Sequence, residues 1–270
     1  MPSDYRGGLG LKDVQLFATC LVDAFSPQIG ISAVNLLESR GAVVHFPHAQ
    51  TCCGQFAFNA GYTDEATLLA RHFVEVFDGT EGPVISLSGS CAAMVAKEYP
   101  SLLDDGDSDE QAARIASLCH RVLDLSQWLG NHDQPEVSSL EPCRVALHQG
   151  CHATRVLKEI SEPRTALENH GYKVVELDDA DQCCGFGGTY SMTEPVVSTA
   201  LADAKIGAYT RAVDQGATAL VGADLGCLLH LQGRAARLGI DLHAWHIAEA
   251  LEKANCGQRE EGADVGTPSE

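Results

Sequence analysis

"TCCGQ" (Thr51–Gln55) and "QCCGF" (Gln182–Phe186) carry the same uncommon unit, two adjacent cysteines followed by glycine, at two places in one chain. Each unit lies at one fixed distance beyond an earlier cysteine. Cys52 follows Cys20 by 32 residues, and Cys183 follows Cys151 by 32. A later cysteine closes each set: Cys91 stands 38 residues past Cys53, and Cys227 stands 43 past Cys184. The flanks repeat as well. "RGAVVHFPHAQTCCG" (Arg40–Gly54) and "HGYKVVELDDADQCCG" (His170–Gly185) both run glycine, a Val-rich stretch, a polar turn, then the pair. "VISLSGSCAAM" (Val84–Met94) and "TALVGADLGCLLH" (Thr218–His230) both run strand, small polar turn, cysteine, apolar segment. Unrelated core cysteines do not reproduce such a spacing, whereas a duplicated unit does. Cys119, Cys143 and Cys256 stay outside the repeat and read as packing thiols.

Hydrophobic periodicity around the cysteines predicts strands alternating with helices. In the first half, strands are expected at 14–18, 42–46 and 83–87, with helices at 29–39, 64–77, 91–98 and 111–129. In the second, strands are expected at 144–148, 173–177 and 217–222, with helices at 153–169, 194–215 and 226–238. That alternation implies an α/β fold of two pseudo-symmetric halves, each a small parallel sheet covered by helices. The expected boundaries are 11–130 for the first cysteine-rich repeat and 142–252 for the second, joined through the polar, proline-bearing stretch Gly130–Pro142. Residues 253–270 read as a polar, disordered tail. Every patterned cysteine falls just past the C-terminal end of a strand, where open α/β sheets place their ligand crevice.

The 270 residues carry a net charge of −19, which argues against a nucleic-acid partner because phosphate binding needs clustered Lys and Arg. Met1–Asp13 has no apolar run, so no signal peptide is expected, and no segment reads as a membrane span. A cytoplasmic location follows as the expectation. Eleven cysteines in that compartment point to metal or redox chemistry ahead of disulfide staples.

Four thiols gathered at one point suit iron–sulfur or zinc. Adjacent cysteines diverge, and a bulky multi-iron group accepts sulfurs from two directions more readily than a single zinc ion does. Gly54 and Gly185 then supply positive φ and room for close approach, with Gly187 and Gly188 adding more in the second loop. His148 and His152 flank Cys151, His230 follows Cys227 and His48 precedes Cys52. Such histidines can ligate or move protons, but loop and packing roles are the ordinary reading. "GFGG" lacks dinucleotide spacing, and no P-loop, flavin motif or G-x-S-x-G is present.

The duplicated C…CCG…C pattern, with "LFATCLVDAFSPQIG", "QTCCGQFAFNAGY", "SGSCAAMV", "HQGCH" and "CCGFGGTYS", resembles the cysteine-rich CCG-domain family. That family occurs in heterodisulfide reductase B subunits and in iron–sulfur subunits of glycolate, glycerol-3-phosphate and lactate oxidation systems. The resemblance is strongest to the CCG subunits of three-protein L-lactate oxidation systems. It implies an iron–sulfur electron-transfer subunit, inactive alone, whose partners are a ferredoxin-like iron–sulfur subunit and a third small protein. It implies one or two [4Fe–4S]-type clusters on Cys20, Cys52, Cys53 and Cys91 and on Cys151, Cys183, Cys184 and Cys227, with zinc as the alternative in one half. The family pattern ends each half with C-x-x-C, but here Met94 and His230 hold the final position, so five-thiol ligation does not carry over. The alternative functions are a thiol–disulfide redox subunit like heterodisulfide reductase and a non-catalytic zinc module.

Overall fold

A computed structural model describes residues 13–104, 106, 108–130 and 142–252. The expected tail, most of the expected linker and Cys256 lie outside the described residues. The first half runs β1 (Asp13–Phe17), α1 (Cys20–Phe25), α2 (Pro27–Glu38), β2 (Val43–His45), α3 (Gln55–Asn59), α4 (Thr63–Phe77), β3 (Val84–Ser86) and α5 (Gly89–Ala93). A π-helical turn over Met94–Glu98 leads to α6 (Tyr99–Leu102), α7 (Asp109–Arg121), β4 (Val122–Asp124) and α8 (Leu125–Gly130). The second half runs β5 (Cys143–His148), a π-helical turn over Ala153–Leu157, α9 (Glu162–Asn169), β6 (Tyr172–Val175), α10 (Tyr190–Thr193) and α11 (Pro195–Asp214). It closes with β7 (Leu220–Gly222), α12 (Leu225–Arg237), β8 (Ala244–His246) and α13 (Ile247–Glu252).

Each half is one four-stranded parallel sheet, ordered β2-β1-β3-β4 and β6-β5-β7-β8. The strand order reverses between β1 and β3, and between β5 and β7. A crevice opens at such a switch point, past the strand C-termini. The registers match: Phe17 lies opposite Ser86 as His148 lies opposite Gly222. Central strands are buried on both faces because helices cover both sides: Val14 and Leu16 on one face and Phe17 on the other, and Val145 and Leu147 on one face and Ala146 on the other.

Two expectations need correction. The helix expected over 111–129 ends at Arg121, and Val122–Asp124 pairs with β3 as a fourth strand. Its apolar residues keep helical spacing, so the pattern conceals the break, and parallel pairing with Val84–Ser86 overrides it. The helix expected over 153–169 is also two pieces. Lys158 sits at φ 62, and α9 starts afresh with Pro163 in its first turn. The fourth strand of the second sheet, β8, is likewise absent from the sequence reading.

The halves meet through exchanged helices. α13 packs on α2, and α8 packs on α9. One apolar cluster therefore runs across the seam, from Val14, Leu36 and Trp128 to Val145, Leu167 and Leu251. Burying a side chain of leucine size contributes about 1.5–3 kcal/mol, so this seam is a main source of stability. No helix among the described residues is long and apolar enough to cross a membrane.

Candidate metal centre

Each cysteine pair enters on a loop that follows the second strand of its sheet and is turned by a left-handed glycine. Gly54 has φ 84 and Gly185 has φ 90. The turn aims the glycine N–H back at the first cysteine of the pair: Gly54 N donates to Cys52 Sγ at 3.4 Å, and Gly185 N to Cys183 Sγ at 3.3 Å. A Cβ on Gly185 would run into the Ser198 carbonyl oxygen, whereas one on Gly54 would sit 3.3 Å from Ala66 O and from Leu69 Cβ. Tyr99 fixes the first pair by donating its hydroxyl to Cys53 O at 2.9 Å.

The structure gathers the thiols half by half. Cys20 Sγ lies 3.5 Å from Cys52 Sγ, and Cys53 Sγ lies 3.2 Å from Cys91 Sγ. Cys184 and Cys227 approach to 2.9 Å, and Cys151 donates to Cys183. Both quartets line a single cleft between the halves, with Asp224, Ser88 and Phe186 among its other walls. Phe56 and Phe186, one residue past each CCG-bearing turn or its glycine, meet edge to face at 5.8 Å between centroids. Gly188 lies under Phe56, where a Cβ would come within 2.6 Å of the ring. The glycine-rich second loop thus packs against the first half. Ser88 and Asp224, each the residue before the helix that carries Cys91 or Cys227, join across the cleft through Ser88 Oγ donating to Asp224 Oδ1 at 2.6 Å.

Proton sharing shapes the quartets. Cys52 is held well below the usual thiol range by hydrogen bonds from Cys20 and then Cys53, helped by the Gly54 N–H. Cys183 is held low in the same way by Cys151, Cys184 and the Gly185 N–H. The donors move oppositely. Cys20 rises because it gives its proton to Cys52, with burial adding to the shift; Cys151 rises against Cys183 for the same reasons. Cys53 and Cys184 also rise, each with a single proton shared between two neighbouring sulfurs in a buried place. Without a cation the crowded sulfurs of each quartet hold together by sharing protons. A soft metal group would replace those protons and relieve the crowding, so the donor set fits one.

Histidines stand beside the second quartet. His148, Cys184 and Cys227 offer donor atoms that all lie within 4.8 Å of one another. Cys227 is drawn down to about 7 by Cys184 and, after burial is set against it, by His148. His152 Nδ1 is 3.5 Å from Cys151 Sγ. His230 turns away to Ser198 Oγ at 3.3 Å, and Met94, its counterpart in the other half, packs into the apolar core beside Cys53 and Cys91. His48 stacks its ring edge on Phe46. Cys119 is buried in the first-half core, in the same apolar cluster as Cys53 and Cys91. Cys143 is disulfide-bonded, which corrects its reading as a packing thiol.

The family model for the cysteine-rich domain CCG matches residues 14–96 and again residues 145–232. The chain belongs to the cysteine-rich CCG-domain family. Each matched stretch spans the first three strands of one sheet and stops short of the fourth. Lactate utilization protein A of Geobacillus kaustophilus is 42% identical over 245 residues, covering 90% of this chain and 99% of that protein. The proteins of the same name from Halalkalibacterium halodurans (41% over 241 residues, 88% of this chain and 96% of that one) and Anoxybacillus flavithermus (40% over 243 residues, 88% and 98%) are similar throughout. The CCG pattern alone does not single out His148. Aligning the repeats would have, because it sets a histidine at the end of an apolar strand opposite phenylalanine in the other copy.

Proposed function

We propose that this chain is the iron–sulfur electron-transfer subunit of a multi-protein system that oxidises L-lactate to pyruvate. The observation that carries this reading is the convergence of eight thiols, four per half, on one cleft, in a chain similar over about nine-tenths of its length to lactate utilization proteins A. Cys20, Cys52, Cys53 and Cys91 hold one [4Fe–4S]-type cluster; Cys151, Cys183, Cys184 and Cys227 hold the other. Such a group, when bound, accepts and releases single electrons. The chain's own residues do the rest. The Gly54 and Gly185 N–H groups stabilise sulfur charge, Tyr99 pins the first pair, and the cleft leaves Cys20, Cys52, Cys151 and Cys183 partly exposed where a redox partner reaches them. The partners are a ferredoxin-like iron–sulfur subunit and a third small protein, and the system works in the cytoplasm.

The test is anaerobic loading with iron and sulfide, followed by analysis of iron, acid-labile sulfide and lactate-dependent electron transfer with and without partner subunits. Cys52→Ser and Cys183→Ser should each lose about half of the iron, because alkoxide or hydroxyl oxygen is a poor substitute for thiolate on iron. Cys119→Ser should lose none. Lactate turnover should appear only with the partners present. Unchanged iron in both loop variants, or a colourless protein with stoichiometric zinc, would sink the iron–sulfur reading.

A further inference from the structure

We propose that His148 is a fifth protein donor of the second centre, giving it a mixed nitrogen–sulfur ligand set while the first centre is all sulfur. The inference rests on the reading that the second quartet holds a metal group, and it adds a ligand outside the cysteine pattern. His148 ends β5 and is 2% exposed. Neither ring nitrogen makes a hydrogen bond of good geometry among the described residues, and the group that reaches the ring is the Cys227 thiol, itself a member of the quartet. A buried ring whose polar atoms meet only the quartet's sulfurs is placed to bind what those sulfurs bind. Its donor atom stands in one group with the sulfurs of Cys184 and Cys227, within 4.8 Å.

The first half shows what the same position looks like without that role. Phe17 takes the place of His148 in sheet register and packs in one core cluster with Cys53 and Cys91, the counterparts of Cys184 and Cys227. An apolar ring therefore satisfies the fold at this position, and packing does not demand an imidazole. An imidazole donor added to the four sulfurs makes the second centre electronically unlike the all-sulfur first one, so the two halves differ in potential.

The test uses full-length protein loaded with iron and sulfide, in wild-type and His148→Phe forms. Phenylalanine copies the arrangement of the first half, which keeps the variant foldable, and circular dichroism with thermal melting checks this. Pulsed electron paramagnetic resonance on reduced protein, made with ¹⁵N-histidine and with natural nitrogen, reads nitrogen coupling at the cluster. A redox titration reads midpoint potentials. The expected result is histidine coupling in wild type, its loss in His148→Phe, and a shift of one midpoint with the other unmoved. If His148→Phe is unfolded, His148→Cys serves, with coupling lost, iron retained and that midpoint shifted. Iron bound in wild type without histidine coupling, or coupling unchanged in the variants, overturns the assignment and leaves the iron–sulfur reading standing. A wild-type protein that takes up no iron overturns both.

Discussion

The two halves share a backbone and differ in what stands behind their cysteines. In the first, the loop ahead of the pair is tied by Gln50, which accepts from Ala18 N at 2.9 Å and donates to Leu16 O and Pro47 O at 3.0 Å each. Behind it lie rings: Phe17, Phe73, Phe77 and Tyr99 form a connected aromatic set. In the second, the loop is tied by a cation. Lys205, 1% exposed, donates Nζ to Asp179 O at 2.9 Å and Ala180 O at 3.1 Å. Gly54 faces Ala66 and Leu69 while Gly185 faces Ser198 and Leu201, so Lys205 occupies the place of Phe73. The difference teaches that one glycine turn at the strand ends can be seated by unlike means, a glutamine and packed rings in one half and a buried lysine in the other. His148, where the first half has Phe17, has no such tie to make, and buried polarity of that kind marks where chemistry is tuned.

The comparison breaks most visibly at the two turn glycines. Gly185→Ala forces a left-handed alanine against the Ser198 carbonyl and should destabilise the protein by about 3 kcal/mol or more; Gly54→Ala meets only close contacts and should cost about 1–2 kcal/mol. Urea unfolding of the two variants measures the gap. Equal losses would mean that the second loop is no more tightly seated than the first.

A smaller effect sharpens the comparison where the fourth strands end. Asp124 and His246 hold equivalent places, each turning back to cap the helix that follows: Asp124 Oδ1 accepts from Ser126 N at 2.7 Å, and His246 Nδ1 from Ala248 N at 3.2 Å. His246 Nε2 faces the carbonyls of Leu87 and Ala223, so the imidazole bridges the halves with its needs met. Asp124 instead meets an acid of the other half. Burial first, and the Asp124 charge second, push the Glu159 carboxyl up to about 10. The folded protein thus keeps a proton that the unfolded chain releases above about pH 4.3. The stability Glu159 allows is full below that value and is lost progressively as pH rises towards the folded pKa. Glutamine imitates the protonated acid at every pH. Glu159→Gln should be neutral in acid and should stabilise progressively above about pH 4.3, by at most about 1.4 kcal/mol per pH unit, with the gain growing into alkali. Denaturant titrations at acidic, neutral and alkaline pH read the slope; a pH-independent difference would refute the buried-acid account.

The duplicated spacing made the eight thiols and both glycine turns legible, because cysteine pairs and their strand-end positions are local signals. Short strands were not legible. Val122–Asp124 and Ala244–His246 are three residues each, and their strand character comes from neighbours in the sheet rather than from their own pattern. The break after Leu157 had a local signal, Pro163, which a run of apolar spacing concealed. His148 stood in plain view beside Cys151, but its meaning depends on burial against the quartet's sulfurs, which no pattern reports.

The exchanged helices have a consequence for folding cooperativity. The largest apolar cluster belongs to neither repeat, since α2 and α8 cover surfaces that α13 and α9 complete. The gene carries the unit twice, yet thermodynamically there is one protein. A chain stopped at Gly130 would present the faces of Leu36, Leu37, Trp128 and Leu129 to water, with no partner to cover them. Calorimetry of the intact chain should show one transition whose van't Hoff and calorimetric enthalpies agree, rather than two steps for two halves.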